Sequence, residues 1–104
     1  MASKENMSLI VECVGTFVFL SVIINTTNVN KGDPTNFIAI AVALLAVIYM
    51  GGRVSGGHFN PAVTFLFFLT DPAFKVNNLA LKYVAAQLAG AYGASVFNKL
   101  VTKV

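Results

Sequence analysis

The sequence predicts an all-α membrane protein with three transmembrane helices and one re-entrant half-helix, and three observations carry that expectation. Of the 104 residues, 57% are apolar and 11% charged, against roughly 25% charged in soluble domains. Three apolar runs are long enough to cross about 30 Å of hydrocarbon. A fourth run, Pro61 to Leu69, is half that length and follows a glycine-containing loop. Mean hydropathy is +0.77. These figures exclude a disordered chain, a disulfide scaffold (Cys13 is the single cysteine) and most soluble enzymes. Residues 1–104 read as one multi-pass membrane domain, whose host membrane the sequence does not name.

The first span covers about residues 7–28 and is interrupted only by Glu12. A signal peptide would also be apolar and N-terminal, but Glu12 inside the run and the lack of an A-x-A-like cleavage site argue against one. Asn28 to Asn36, with Lys31, Gly32, Asp33 and Pro34, is a turn cluster. The second span covers about 35–54, with no charge from Phe37 to Gly52. The third covers about 76–99, with Lys82 near its start, where a long side chain reaches the interface. It carries two rows of small residues four apart, Ala85, Ala89, Gly93 and Ala86, Gly90, Ala94. Such rows let helix backbones approach closely in lipid.

Between the second and third spans lies Ser55-Gly56-Gly57-His58-Phe59-Asn60, then a half-helix over about 61–70, then the stop Thr70-Asp71-Pro72. Asn60-Pro61 is an N-cap followed by proline at the first helical position, where the missing N–H costs nothing. The positive end of the half-helix dipole and the Asn60 amide would face a cavity at the midplane. Gly56 and Gly57 remove side chains, so their carbonyls can line that cavity. Irregular backbone at such depth is tolerated where it is buried in protein or lines water. Glu12 is an intramembrane carboxylate and therefore a functional candidate. His58 joins the lining set, with a loop-fixing hydrogen bond as its main role. It is the single histidine and has no paired carboxylate to make a metal site. The seven basic residues are spread singly, which excludes a nucleic-acid face.

Ser55-Gly56-Gly57-His58-Phe59-Asn60-Pro61-Ala62-Val63-Thr64 resembles the first signature loop of the aquaporins, or major intrinsic proteins, S-G-x-H-x-N-P-A-V-T. Glu12 to Thr16 is similar to that family's E-x-x-G-T, and Tyr83 to Ala91 to its Y-x-x-A-Q-x-x-G-A. The resemblance implies half of an aquaporin-like fold. It implies a passive channel for water or small uncharged solutes such as glycerol, with no reaction and no cofactor. Asn60, Pro61, Ala62, Val63, Gly56, Gly57 and His58 would line the pore, while Glu12, Gln87 and Ser55 would hold the loop. The family carries two such halves in inverted orientation, and only one is present in this sequence.

Two further expectations follow. The family's second N-P-A is usually followed by arginine, whereas here Val63 follows Ala62. With Ile40 and Ile48 at the second-span filter positions and Gly57 supplying backbone, the constriction would be apolar and permissive for glycerol. Lys4, Arg53, Lys75 and Lys82 fall on one side of the membrane and Lys31, Lys99 and Lys103 on the other. Since Lys/Arg asymmetry sets orientation, this near balance predicts dual topology. The pore would then be an antiparallel homodimer, or a higher homo-oligomer of such dimers. The alternative is a non-conducting chain, either a truncated relic or an assembly subunit of a full-length channel.

Overall fold

Ser3 opens the first helix: its hydroxyl accepts from Asn6 N at 3.1 Å and its carbonyl from Met7 N at 3.0 Å. Such a cap satisfies backbone donors that a helix start leaves unpaired. The structure, a computed structural model, describes residues 3–29 and 31–102. It contains α1 (Lys4–Val29), α2 (Thr35–Ser55), α3 (Pro61–Thr70), a 3₁₀ turn (Pro72–Lys75) and α4 (Leu79–Thr102), with no strand among the described residues. Asn30 of the turn cluster and Lys103 of the charge count lie outside them.

At 1.5 Å per residue the 26 residues of α1 extend about 39 Å, close to the 42 Å long axis of the molecule. α1 and α2 are each long and apolar enough to cross a membrane. Before α2, Asp33 Oδ1 accepts from both Thr35 N (2.9 Å) and Thr35 Oγ1 (2.8 Å). Those two bonds hold the exposed Asp33 carboxyl below the usual carboxylate range. The bonds are made above that lowered range and are lost as pH falls through it. The chain between α3 and α4 departs from the expected span start at residue 76. Asn77 and Asn78 adopt left-handed backbone (φ 55° and 57°), which asparagine tolerates better than most residues. The 3₁₀ turn and these two residues therefore occupy what the sequence reads as the beginning of the third span.

α1 lies between α2 and α4, and α3 packs on α4 and the 3₁₀ turn. α1 and α4 run parallel, since Glu5 meets Lys82, Glu12 meets Gln87 and Cys13 meets Gly90. The Glu5–Lys82 pair (3.0 Å) is about two-fifths exposed, and such pairs contribute at most about 1 kcal/mol. The closeness of the two helices comes from Gly90. A Cβ there would collide with the Cys13 carbonyl oxygen and stand 3.0 Å from Phe17 N. Gly93 admits the Phe17 ring, which also meets Phe97 edge-on at 5.7 Å. The two small-residue rows enter this seam unequally, the row of Ala85, Ala89 and Gly93 only through Gly93. Gly90 and Ala94 are buried, whereas Ala85 and Ala89 are exposed on the outer face of α4.

Gly90→Ala is expected to lower stability by about 2–3 kcal/mol, because the new methyl group meets backbone that cannot move aside. Gly52→Ala is the control. Its Cβ would lie 3.7 Å from Ile48 Cγ2, an ordinary contact, so the change should be neutral or slightly stabilising. Denaturant unfolding in mixed micelles compares the two directly.

Candidate functional site

The loop that joins α2 to α3 is built on a buried carboxylate. Glu12 has no exposed surface, and its two oxygens accept four hydrogen bonds. Oε2 takes Ser55 Oγ (2.7 Å) and His58 N (3.0 Å), while Oε1 takes Phe59 N (2.8 Å) and Gln87 Nε2 (2.9 Å). An ionised carboxylate is an acceptor only, so four donors match it. Burying that charge without them would cost several kcal/mol. Ser55, Gln87 and Glu12, expected to support the loop, are thus in direct contact with one another or with the loop backbone.

The loop path follows from where its donors go. Gly56 caps α2 in left-handed conformation (φ 92°), its N–H reaching Gly52 O at 2.8 Å. Gly57 (φ 67°) donates to Ser55 Oγ at 3.1 Å. Together with the two bonds to Glu12, the N–H groups of Gly56, Gly57, His58 and Phe59 are all tied inward. Their carbonyl oxygens accept no hydrogen bond among the described residues.

Phe59 supplies the anchor. Its φ of 50° is unusual for a bulky side chain, and the backbone bond to Glu12 holds it there. Its ring is 3% exposed and fills the space that Gly15 and Gly51 leave free on α1 and α2. A Cβ on Gly15 would collide with the ring, lying 2.7 Å from its Cδ1, and one on Gly51 would lie 3.5 Å from its Cζ. Glu12 and Gly15 are three residues apart and so share a helix face. One face of α1 therefore holds both the backbone and the side chain of Phe59.

Asn60 comes next, in extended conformation, and caps α3: its Oδ1 accepts from Ala62 N at 2.8 Å. Its amide NH₂ has no partner among the described residues. α3 then returns the chain toward the end from which it entered. Thr64, fully buried, fixes the half-helix from below. Thr64 Oγ1 accepts from Gln87 Nε2 (2.8 Å) and lies 2.9 Å from His58 Nδ1. Gln87 Nε2 must be the nitrogen, because its other partner is the Glu12 carboxylate. If the single Thr64 hydroxyl proton goes to His58 Nδ1, each proton in this chain has its own acceptor, while Gln87 Oε1 is buried with no partner among the described residues. The His58 ring stacks on Phe67 (4.8 Å) and lies against Phe74 (5.0 Å) and Tyr83 (5.1 Å). Tyr83 also donates its hydroxyl to Ser55 O at 2.7 Å.

Among the residues expected to line a pore, Asn60, Pro61, Ala62, Gly56 and Ile48 are exposed, and Gly57, Val63 and Ile40 are half-buried. His58 departs from that group: it is 6% exposed and enclosed by aromatic rings, so it holds the loop and does not line it. Ile48 stands beside Gly57, whose Cβ would meet Ile48 Cγ1 at 3.5 Å. Ile40 sits eight residues away, about 12 Å along α2 and some 80° round it. Ile40 and Ile48 of one chain therefore cannot share one narrow ring. The sequence motifs contain Thr64 and Tyr83 but attach no role to them. The signal that could have singled out Thr64 is its hydroxyl in an otherwise apolar half-helix.

The profile of the family described as Major intrinsic protein matches residues 2–104. Among similar curated proteins are aquaporin NIP1-1 of Zea mays, 38% identical over 93 residues, and nodulin-26 of Glycine max, 38% identical over 95 residues. Each match covers 84% of this chain and about a third of the relative (32% and 34%). A glycerol uptake facilitator protein-like 6 of Lactiplantibacillus plantarum is 35% identical over 85 residues, covering 81% of this chain and 38% of that protein. The chain thus spans about a third of the length of the relatives it matches. No solved structure matches it.

Proposed function

The chain belongs to the major intrinsic protein family, and on that premise we propose that it forms half of a passive pore for water and small uncharged solutes. The observation that carries this reading is the division of labour in the loop. Every N–H from Gly56 to Phe59 is tied inward, while their carbonyls and the Asn60 amide are left unpaired. That is a strip of acceptors ending in a donor, the pattern a file of water or polyol hydroxyls requires.

Depth supports the same reading. Phe59 docks on Gly15, which lies about 15 Å along α1 from the Glu5–Lys82 pair. That is half of a hydrocarbon core about 30 Å thick, so Asn60 falls near the midplane with α4 as the third span. Asn60, Pro61 and Ala62 are exposed there, and in our reading a second, inverted copy of the chain covers them and completes the pore. Among the described residues Lys4, Arg53, Lys75 and Lys82 lie at the loop end and Lys31 and Lys99 opposite, a difference too small to fix one orientation.

The constriction in this reading is apolar, formed by Ile48 beside Gly57 and by Val63 after Ala62. Purified protein in liposomes should pass glycerol as well as water in stopped-flow swelling assays. Ile48→Trp should reduce glycerol flux by about tenfold and water flux far less, since a bulkier wall excludes the larger solute first. Strong water flux in the unaltered protein with no glycerol flux would overturn the permissive filter. No flux of either solute above empty liposomes would overturn the channel.

A further inference from the structure

The connection between α3 and α4 turns one side chain inward. From Pro72 to Asn78 only Phe74 is buried, while Val76, two residues on, is left exposed. The 3₁₀ turn that carries Phe74 is fixed at both ends. Asp71 caps its start, with Oδ1 accepting from Ala73 N (3.0 Å) and the carbonyl from Phe74 N (3.0 Å). Beyond it the left-handed Asn77 and Asn78 redirect the chain into α4. The Phe74 ring centroid lies 5.0 Å from that of His58, 5.1 Å from that of Tyr83 in an edge-on contact, and 6.2 Å from that of Phe67. Phe67 and Tyr83 belong to helices with other contacts to hold them. Phe74 is the wall of the His58 cage that a short connection supplies.

The His58 ring in turn touches the start of the loop. On one edge Nδ1 lies 2.9 Å from Thr64 Oγ1. On the other, Nε2 lies 3.4 Å from the point where a Cβ on Gly56 would stand, so the ring rests against Gly56. Gly56 and Gly57 begin the strip of unpaired carbonyls. At φ 92° and 67° they carry no side chain to fix them by packing. Their N–H bonds hold the strip from one side, and the His58 ring supports Gly56 from another.

We propose that Phe74 is a positioning residue of the pore: through the His58 ring it holds the first carbonyls of the strip in the alignment that glycerol requires. The inference rests on the channel reading above. Glycerol presents hydroxyls at spacings its carbon chain sets, so the strip replaces its hydration only where the acceptors are aligned in advance. Water reorients freely and tolerates acceptors that drift.

His58 is the single histidine of the chain, so isotope-labelled histidine reports on this site alone. Nitrogen NMR of the full chain in liposomes should show one neutral tautomer with the proton on Nε2, as a Thr64 hydroxyl donating to Nδ1 requires. Phe74→Ala should average that signal between the two tautomers. In swelling assays it should lower glycerol flux about fivefold and water flux by less than about twofold. Phe74→Tyr keeps the ring and should restore both readouts, and Val76→Ala in the same connection should change neither. Where Phe74→Ala does not fold, Phe74→Leu reads the same ratio, with a shift of about twofold. A turn that only joins α3 to α4 would lower folded yield and leave the glycerol-to-water ratio per folded molecule unchanged, which overturns the proposal. So would an unaltered His58 signal in Phe74→Ala. No flux from the unaltered protein would remove the channel reading itself, and the His58 signal would then show separately whether Phe74 holds the loop.

Discussion

Glu12→Gln is expected to unfold the loop and to cost about 3–5 kcal/mol of stability. The substitution nearly preserves shape but replaces one acceptor oxygen with an NH₂ group. Whichever way the amide is turned, two of the four donors on Ser55, His58, Phe59 and Gln87 then face another donor. A buried donor left unpaired costs roughly 1–3 kcal/mol, and hydrogen bonds to a charged group are the stronger kind. The loss should appear as reduced folded yield and a lower denaturation midpoint in micelles. Flux per folded molecule should fall in parallel as the Asn60 cap loses its fixed position. Unchanged stability with altered solute preference would place Glu12 in the permeation path and contradict its role as the loop's anchor.

Gly15→Ala should be nearly as severe, at about 2–4 kcal/mol, for a different reason. One methyl group is added, and it overlaps the Phe59 ring. A flexible side chain could step aside, but this ring is buried, its backbone is held at φ 50° by Glu12, and Gly51 closes the other side. Overpacking a site with no slack costs typically 1–3 kcal/mol and occasionally more. The contact is pairwise, so its cost is recoverable. Phe59→Leu removes the ring edge, and in the Gly15→Ala, Phe59→Leu double variant at least half of the penalty should disappear. Strict additivity in the double-mutant cycle would show that Gly15 is needed for something other than Phe59.

The parts of this architecture that are local in the chain are the parts a reader of the sequence can find. Asn60-Pro61 predicts the start of α3 because an amide cap and a proline at the first position have one structural use, and α3 begins at Pro61. Glu12 stands out because a carboxylate in an apolar run needs partners. What stays hidden is long-range. Nothing in the run from Glu12 to Thr16 says that Gly15 holds space for a ring forty-four positions away. The αL backbone of Phe59 has no signal in a residue that normally avoids it. His58 sits in a cage made by Phe67, Phe74 and Tyr83, from three separate elements, so its burial cannot be read from its neighbours in sequence. The two small-residue rows of α4 look equivalent on a helical wheel. Only the position of α1 decides that Gly90 and Ala94 are used and Ala85 and Ala89 are not. Ile40 and Ile48 are the converse case, since the family resemblance puts both at one constriction and helix geometry sets them about 12 Å apart along α2.

In the proposed pore Asn60, Pro61 and Ala62 face a second, inverted copy across the axis. Ala62→Cys in a Cys13→Ser background places one thiol on that exposed surface, beside the Asn60 cap. In liposomes made from the purified chain, mild oxidation or a short thiol-specific cross-linker should give a covalent dimer. Tags on the N-terminus should then be found on both sides of the bilayer, and cross-linking should lower flux. Absence of an Ala62→Cys dimer, with every N-terminal tag on the same side, would contradict the inverted pair.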